Sequence, residues 1–162
     1  GCTWRDLSDL YNREVLDLGG FVRDPGGMIW GHPTGIDPAL MLTSGLDNSE
    51  IEPGTHVMFD CHGTLDLYCW DGGKTWVVDG ELQGRRKQNG HLLKEVASVV
   101  VAAMWPGIRI SELQSLARKT FVKGGVSNPD SLIIFFHGLG LSHMDVETFK
   151  PDGTSNLNWV LN

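Results

Sequence analysis

The stretch MFDCHGTLDLYCWDGGKTW, residues 58–76, constrains this chain more than any other. It reads as β-structure, because aromatic, β-branched and sulfur side chains recur between turn residues. Yet Asp60, Asp66, Asp71 and His62 lie inside it. A carboxylate taken out of water needs a partner, and a metal ion is one of the few adequate ones. A fold that accepts this stretch must therefore give each acidic residue a turn, a solvated strand end or a cation.

Spacing alone leaves these choices open. Asp60 ends one apolar strand and Asp71 follows another. A two-residue hairpin at Gly63 and Thr64 would not set them opposite each other. The loop would have to centre near Leu65 and Asp66, or a bulge would have to shift the register. The plain alternative is that one aspartate caps a turn and the other sits at a solvated strand end. His62 shares a strand face with Asp60, two residues away. It is read as a solvent-facing hairpin residue, with an extra ligand as the other reading.

The flanking sequence sets this β-region between helices. Thr3 can cap a helix over 3–18, with Leu7, Leu10, Tyr11, Val15 and Leu18 on one face and Gly19-Gly20 ending it. Residues 20–38 are rich in Gly and Pro and read mostly as loop, with a strand near 28–30, and 40–43 is a short strand candidate. Pro53-Gly54 turns into the strand that ends at Cys61, and Gly72-Gly73 reads as a further turn. The spacing predicts a helix over 90–104, with Leu92, Leu93, Val96, Val100 and Ala103 on one side and Trp105-Pro106-Gly107 stopping it. A second helix over 111–123 opens on a capping-box pattern, Ser111 with Gln114, and buries Leu113, Leu116, Ala117 and Phe121. Both helices are expected to lay their apolar stripes on the β-segments. The apolar run 132–136 reads as a buried strand. Strands and helices come in blocks, so the class is α+β.

That last strand delivers the chain into HGLGLSH, residues 137–143. A His at the mouth of an apolar strand, followed by small residues that admit close backbone approach, suits a ligand or a general base. The plain reading of His137 is a core imidazole bonded to a backbone carbonyl. His143 strengthens the functional reading, since two imidazoles can divide ligand and proton-transfer roles. The glycines do not make a phosphate-binding P-loop, which needs GxxxxGK[ST]. His32, His56 and His91 have no motif around them and read as structural or surface residues.

Composition removes some classes. Hydrophobic residues make up 41% of the 162 and charged residues 20%, ordinary values for a globular chain. The formal net charge of -7 argues against nucleic acid or an anionic membrane as partner. Cys2, Cys61 and Cys69 are an odd set without a disulfide pattern, which points to reduced thiols and a cytoplasmic location. Both ends read as cut, so the chain is expected to be a fragment of a longer protein.

Taken together, these residues resemble the dinuclear metallopeptidase superfamily of methionine aminopeptidases, aminopeptidase P, prolidase and creatinase. IEPGTHVMFDCHGTLDLYCWDGGKTWVVDG resembles the signature in which a strand ending in Asp is followed by GYxxDxxRT. HGLGLSH resembles HGxGxxxH, and GCTWRDL resembles pGmTerEl. The resemblance implies that Asp60, Asp71 and His137 are metal ligands, with Asp71 bridging both metals, and that His143 contacts substrate or stabilises the transition state. It implies a partial pita-bread fold, a curved antiparallel sheet backed by helices, with 1–162 forming a single incomplete catalytic domain. It also implies two divalent ions per complete site (manganese, cobalt, zinc or iron), a metal-activated hydroxide, a peptide or small-molecule substrate, and leaves a homodimer open.

The chain departs from the pattern in four places. Lys74-Thr75 stands where the family has Arg-Thr, and the step from His137 to His143 is one residue shorter. The histidine that many peptidase members carry before the first aspartate has no counterpart near 42–47. The family's last two ligands are glutamates on strands after the histidine motif, a part of the pattern that residues 1–162 do not reach, and the candidates within the chain for that role are Asp145, Glu147 and His62. The expected function is thus an Xaa-Pro aminopeptidase or dipeptidase-like hydrolase, with this chain alone weak or inactive. The alternatives are a creatinase-like hydrolase or lyase of a small zwitterion, or a non-catalytic module.

Overall fold

The first helix, α1 (Trp4–Asp17), begins where the Thr3 side chain accepts the Asp6 N–H while the Asp6 carboxylate accepts from Thr3. Two donors that a helix start would leave unpaired are thereby satisfied. In this computed structural model residues 1–22, 28–32, 42–43, 48–143, 156 and 158–161 are described. Most of the expected 20–38 loop, residues 40–41, Asp145 and Glu147 lie outside them. The described chain divides into two compact units, Gly1–Glu81 with Leu139–His143, and Leu82–Gly138 with Met144–Asn162.

In the first unit an antiparallel sheet is built around one long hairpin. Its strands are β1 (Gly20–Val22), β2 (Met28–His32), β3 (Leu42–Thr43), β4 (His56–Leu65) and β5 (Tyr68–Val77). The central strand β4 pairs with β5 along one edge and with β1 and β2 end to end along the other, and β3 extends the sheet from β2. Successive side chains on a strand point to opposite faces. Val57, Phe59 and Cys61 therefore share one face of β4, and they pack with Trp4, Leu7, Tyr11, Ile29 and Trp70 as a core. The helix face that enters this core is Trp4, Leu7, Ser8 and Tyr11, a rotation from the expected one: Leu10 and Leu18 are exposed, and Ser8 is buried. Burial, and next to it the Cys61 thiol, push the Tyr11 phenol above its ordinary range.

Gly72 and Gly73 make no turn; β5 runs straight through them. Gly73 sits opposite Asp60, and a Cβ there would press on the Phe59 carbonyl. Glycine in a strand can mark close backbone approach as well as a bend, and here it marks the former.

In the second unit α2 (Gly84–Ala102) and α3 (Ile110–Lys123) share a core of Val96, Val100, Ile108, Ile110, Leu113, Ala117 and Phe121. Leu132, Ile134, Phe136, Trp159 and Leu161 pack against it. The apolar stripes expected to seek the β-segments thus have partners within their own unit. The helix α2 starts earlier than its apolar pattern suggests, through the polar run 85–89. The expected capping box on α3 does not form. Its N-cap is Arg109, the Ile110 N–H donates to the Trp159 carbonyl at 2.9 Å, and Arg109 bridges Val160. Gln114 instead donates from Nε2 to the Ile134 carbonyl at 2.8 Å. Residues 132–136 follow a short 3-10 turn, α4 (Pro129–Ser131), and carry no strand ladder among the described residues. Their burial alternates: Leu132, Ile134 and Phe136 face the core while Ile133 is 95% exposed.

Two outcomes follow from these contacts. Gly31 lies where the Trp4 ring meets β2, so Gly31→Ala should cost about 1–3 kcal/mol in chemical denaturation, through overpacking. Hydrogen bonds from the Thr3 backbone and hydroxyl hold the Asp6 carboxyl below its ordinary range. The ionised form therefore stabilises α1 at neutral pH, and that contribution should fade as pH falls through the Asp6 value. Helicity measured against acid pH should lose this step in Asp6→Asn.

Candidate functional site

The turn between β4 and β5 decides which acidic residues meet. Asp66 and Leu67 form it, with φ of 49° and 69°. Two successive positive φ values define the tight hairpin turn whose twist matches the flanking strands. Asp66 is thereby explained as a turn residue. Leu65 then pairs with Tyr68, and each later rung is set: His62 lies opposite Asp71, and Asp60 opposite Gly73. Asp60, His62 and Asp71 consequently share one face of the hairpin, the face turned away from the α1 core. All three are half-buried. Asp60 and Asp71 are diagonal neighbours, roughly 7–8 Å apart at the backbone by the geometry of such pairs.

A returning segment brings His143 to this face. The Cys69 N–H donates to the Gly140 carbonyl at 2.7 Å, and the Tyr68 hydroxyl donates to the Leu139 carbonyl at 2.9 Å. Gly140 in turn donates from its N–H to the Ser142 carbonyl at 3.2 Å. Held this way, His143 sets Nε2 at 3.1 Å from Asp71 Oδ2, with both side chains about four-fifths buried (21% and 22% exposed). The imidazole of His143 also stacks on that of His62, with ring centroids 4.1 Å apart and 19° between planes. His62 is therefore no solvent-facing hairpin residue. Its distance from the HGLGLSH motif in sequence hid this; the only local signal was its shared face with Asp60.

In the second unit His137 has Nδ1 at 3.1 Å from the Gly138 carbonyl, and its ring lies 5.6 Å from that of Phe135. Lys74 is exposed and pairs with Phe59, so it belongs to the hairpin face opposite Asp71. Asp145 and Glu147 are outside the described residues.

Carboxylates and an imidazole gathered on one half-buried face are the donor types that bind manganese, zinc or iron. The Asp71–His143 contact uses one carboxylate oxygen, and a carboxylate has a second to offer a cation. This is the kind of site found in metal-dependent hydrolases. Residues 4–158 match metallopeptidase family M24, and the chain belongs to that family.

Solved structures agree on the fold, which is the pita-bread type in part. Prolidase from Pyrococcus furiosus is 22% identical, with a TM-score of 0.72 over 100% of this chain and 45% of its own. Dipeptidase PepE from Mycobacterium ulcerans is 19% identical, with a TM-score of 0.75 over 100% of this chain and 41% of its own. The N-terminal domain of FACT complex subunit SPT16 from chickpea is 13% identical, with a TM-score of 0.69 over 90% of this chain and 36% of its own. The chain spans less than half the length of each of these proteins. No curated protein matches it.

The Tyr68 hydroxyl tests how the returning segment is held. Tyr68→Phe should cost about 0.5–1 kcal/mol. It should also speed hydrogen exchange at the Cys69 amide, whose acceptor lies in the same segment.

Proposed function

We propose that this chain is part of the catalytic domain of a metal-dependent peptidase of the Xaa-Pro aminopeptidase or dipeptidase type. The observation that carries the reading is the half-buried pair of Asp71 and His143, built on one hairpin rung in a chain of a metallopeptidase family. In this reading Asp60, Asp71 and His137 hold divalent cations, with manganese, cobalt, zinc or iron as candidates. When bound, such ions polarise the scissile carbonyl and acidify a water at neutral pH. Asp71 holds His143 at Nε2 through Oδ2. His143 then presents its ring to the substrate, where it can donate to or accept from the reacting group.

Residues 1–162 act here as one incomplete domain. Two glutamates from further along the parent protein complete the ligand set. The substrate is a peptide, the location is cytoplasmic, and neither nucleic acid nor membrane is a partner. The acidic balance and the absence of a disulfide at Cys2, Cys61 and Cys69 support this. No described helix is long and apolar enough to cross a membrane.

A second reading has one specific observation behind it. The chickpea neighbour is described as a subunit of the FACT complex and not as a peptidase. A non-catalytic module on the same fold is therefore the alternative.

Calorimetric titration with Mn²⁺ and Co²⁺, paired with an Xaa-Pro dipeptide assay, separates the two. The 162-residue chain should bind cations weakly and turn over little, because its ligand set is incomplete. The full-length parent should bind tightly and hydrolyse the dipeptide, and Asp71→Asn should lower its affinity at least about 10-fold. A parent that binds no cation favours the non-catalytic module. Robust turnover by the short chain would show that a different set of ligands completes the site.

A further inference from the structure

The His143 imidazole is held at one atom by Asp71, and one atom is too little to orient a ring. A single contact between Nε2 and Oδ2 sets a distance and does not by itself set the plane of the ring. The backbone contacts of the returning segment act at Leu139, Gly140 and Ser142, upstream of the ring. A flat surface also lies against the ring. The His62 ring lies 4.1 Å away and within 19° of parallel. A plane at that distance blocks tilting in one direction and gains dispersion contact only when the rings stay parallel.

Both constraints come from one place. His62 and Asp71 are opposite partners on the β4–β5 ladder. One rung thus gives His143 a point contact from its β5 side and a face contact from its β4 side. A slip of β5 by one residue would send Asp71 to the other face and part it from His62.

We propose that His62 is a positioning residue: its ring is the platform that fixes the plane of the His143 imidazole while Asp71 fixes its Nε2. That His143 serves a reaction rests on the metallopeptidase reading above. The platform itself rests on the hairpin register and the ring geometry alone. The role needs a flat side chain, not a basic one.

The test uses the same 162-residue chain with His62→Ala and His62→Phe, each checked for an unchanged thermal midpoint. The ring nitrogens of His143 are followed by long-range ¹H–¹⁵N NMR, and Co²⁺ is titrated into each protein. The wild type should show one sharp set of His143 signals with one tautomer dominant. His62→Ala should broaden that set or average it between tautomers and weaken Co²⁺ binding about 10-fold, as loss of a supporting partner typically does. His62→Phe should restore the His143 signals. Unaltered His143 signals in His62→Ala would overturn the proposal, as would a Phe variant that fails to restore them in a folded protein. If the wild type binds no Co²⁺ while His62→Ala still disturbs His143, the metal reading fails and the platform stands.

Discussion

The site depends on the register of one hairpin, and that register depends on a two-residue turn. Asp66 and Leu67 both hold positive φ, a conformation that costs an L-residue with a side chain roughly 1–2 kcal/mol. Asp tolerates it through local hydrogen bonding, whereas Leu has no such relief. The strain is held in place by the ten-residue ladder that follows. Every pairing from Leu65–Tyr68 to His56–Val77 is fixed by it, including the rung that places His62 beside Asp71.

From that register follows a division of labour between the two faces of the hairpin. One face is apolar and meets α1, with the Trp4 ring lying over Gly31 and the Phe59 ring edge-on to Tyr11 and Trp76. The other carries the acids and imidazoles. Core packing thereby stiffens the strands from one face while Asp60, His62 and Asp71 share the other. The second unit keeps its own core, in which Leu113 and Ala117 are almost fully buried.

Local sequence showed the elements better than their phases. The helices α1 and α3 and the strands through Val57 and Trp76 were legible from periodicity and caps. The buried face of α1 was not, because apolar residues surround much of that helix and contacts with the sheet, such as Trp4 on Gly31 and Tyr11 on Phe59, select among them. Gly72-Gly73 read as a turn because glycine serves bends and close approach alike, and only the cross-strand carbonyl of Phe59 decides between them. Gln114 looked like a capping partner, yet its amide serves a carbonyl twenty residues on, a contact that no local pattern encodes. In the site, a shared face for Asp60 and Asp71 was conditional on where the loop fell. The stack of His62 on His143 joins residues 81 positions apart (143 − 62) and left no mark in the spacing.

The segment 132–136 has a consequence of its own. It is extended, it is held by Gln114 at one carbonyl, and it turns Ile133 and part of Phe135 to solvent. An extended stretch with one apolar side uncovered and no ladder among the described residues has the character of a sheet edge. A strand laid beside it would gain backbone hydrogen bonds and, at about 25 cal/mol per Å² of apolar area removed from water, a few kcal/mol from those side chains. Such an edge does not discriminate between a strand of the same polypeptide and one from another molecule.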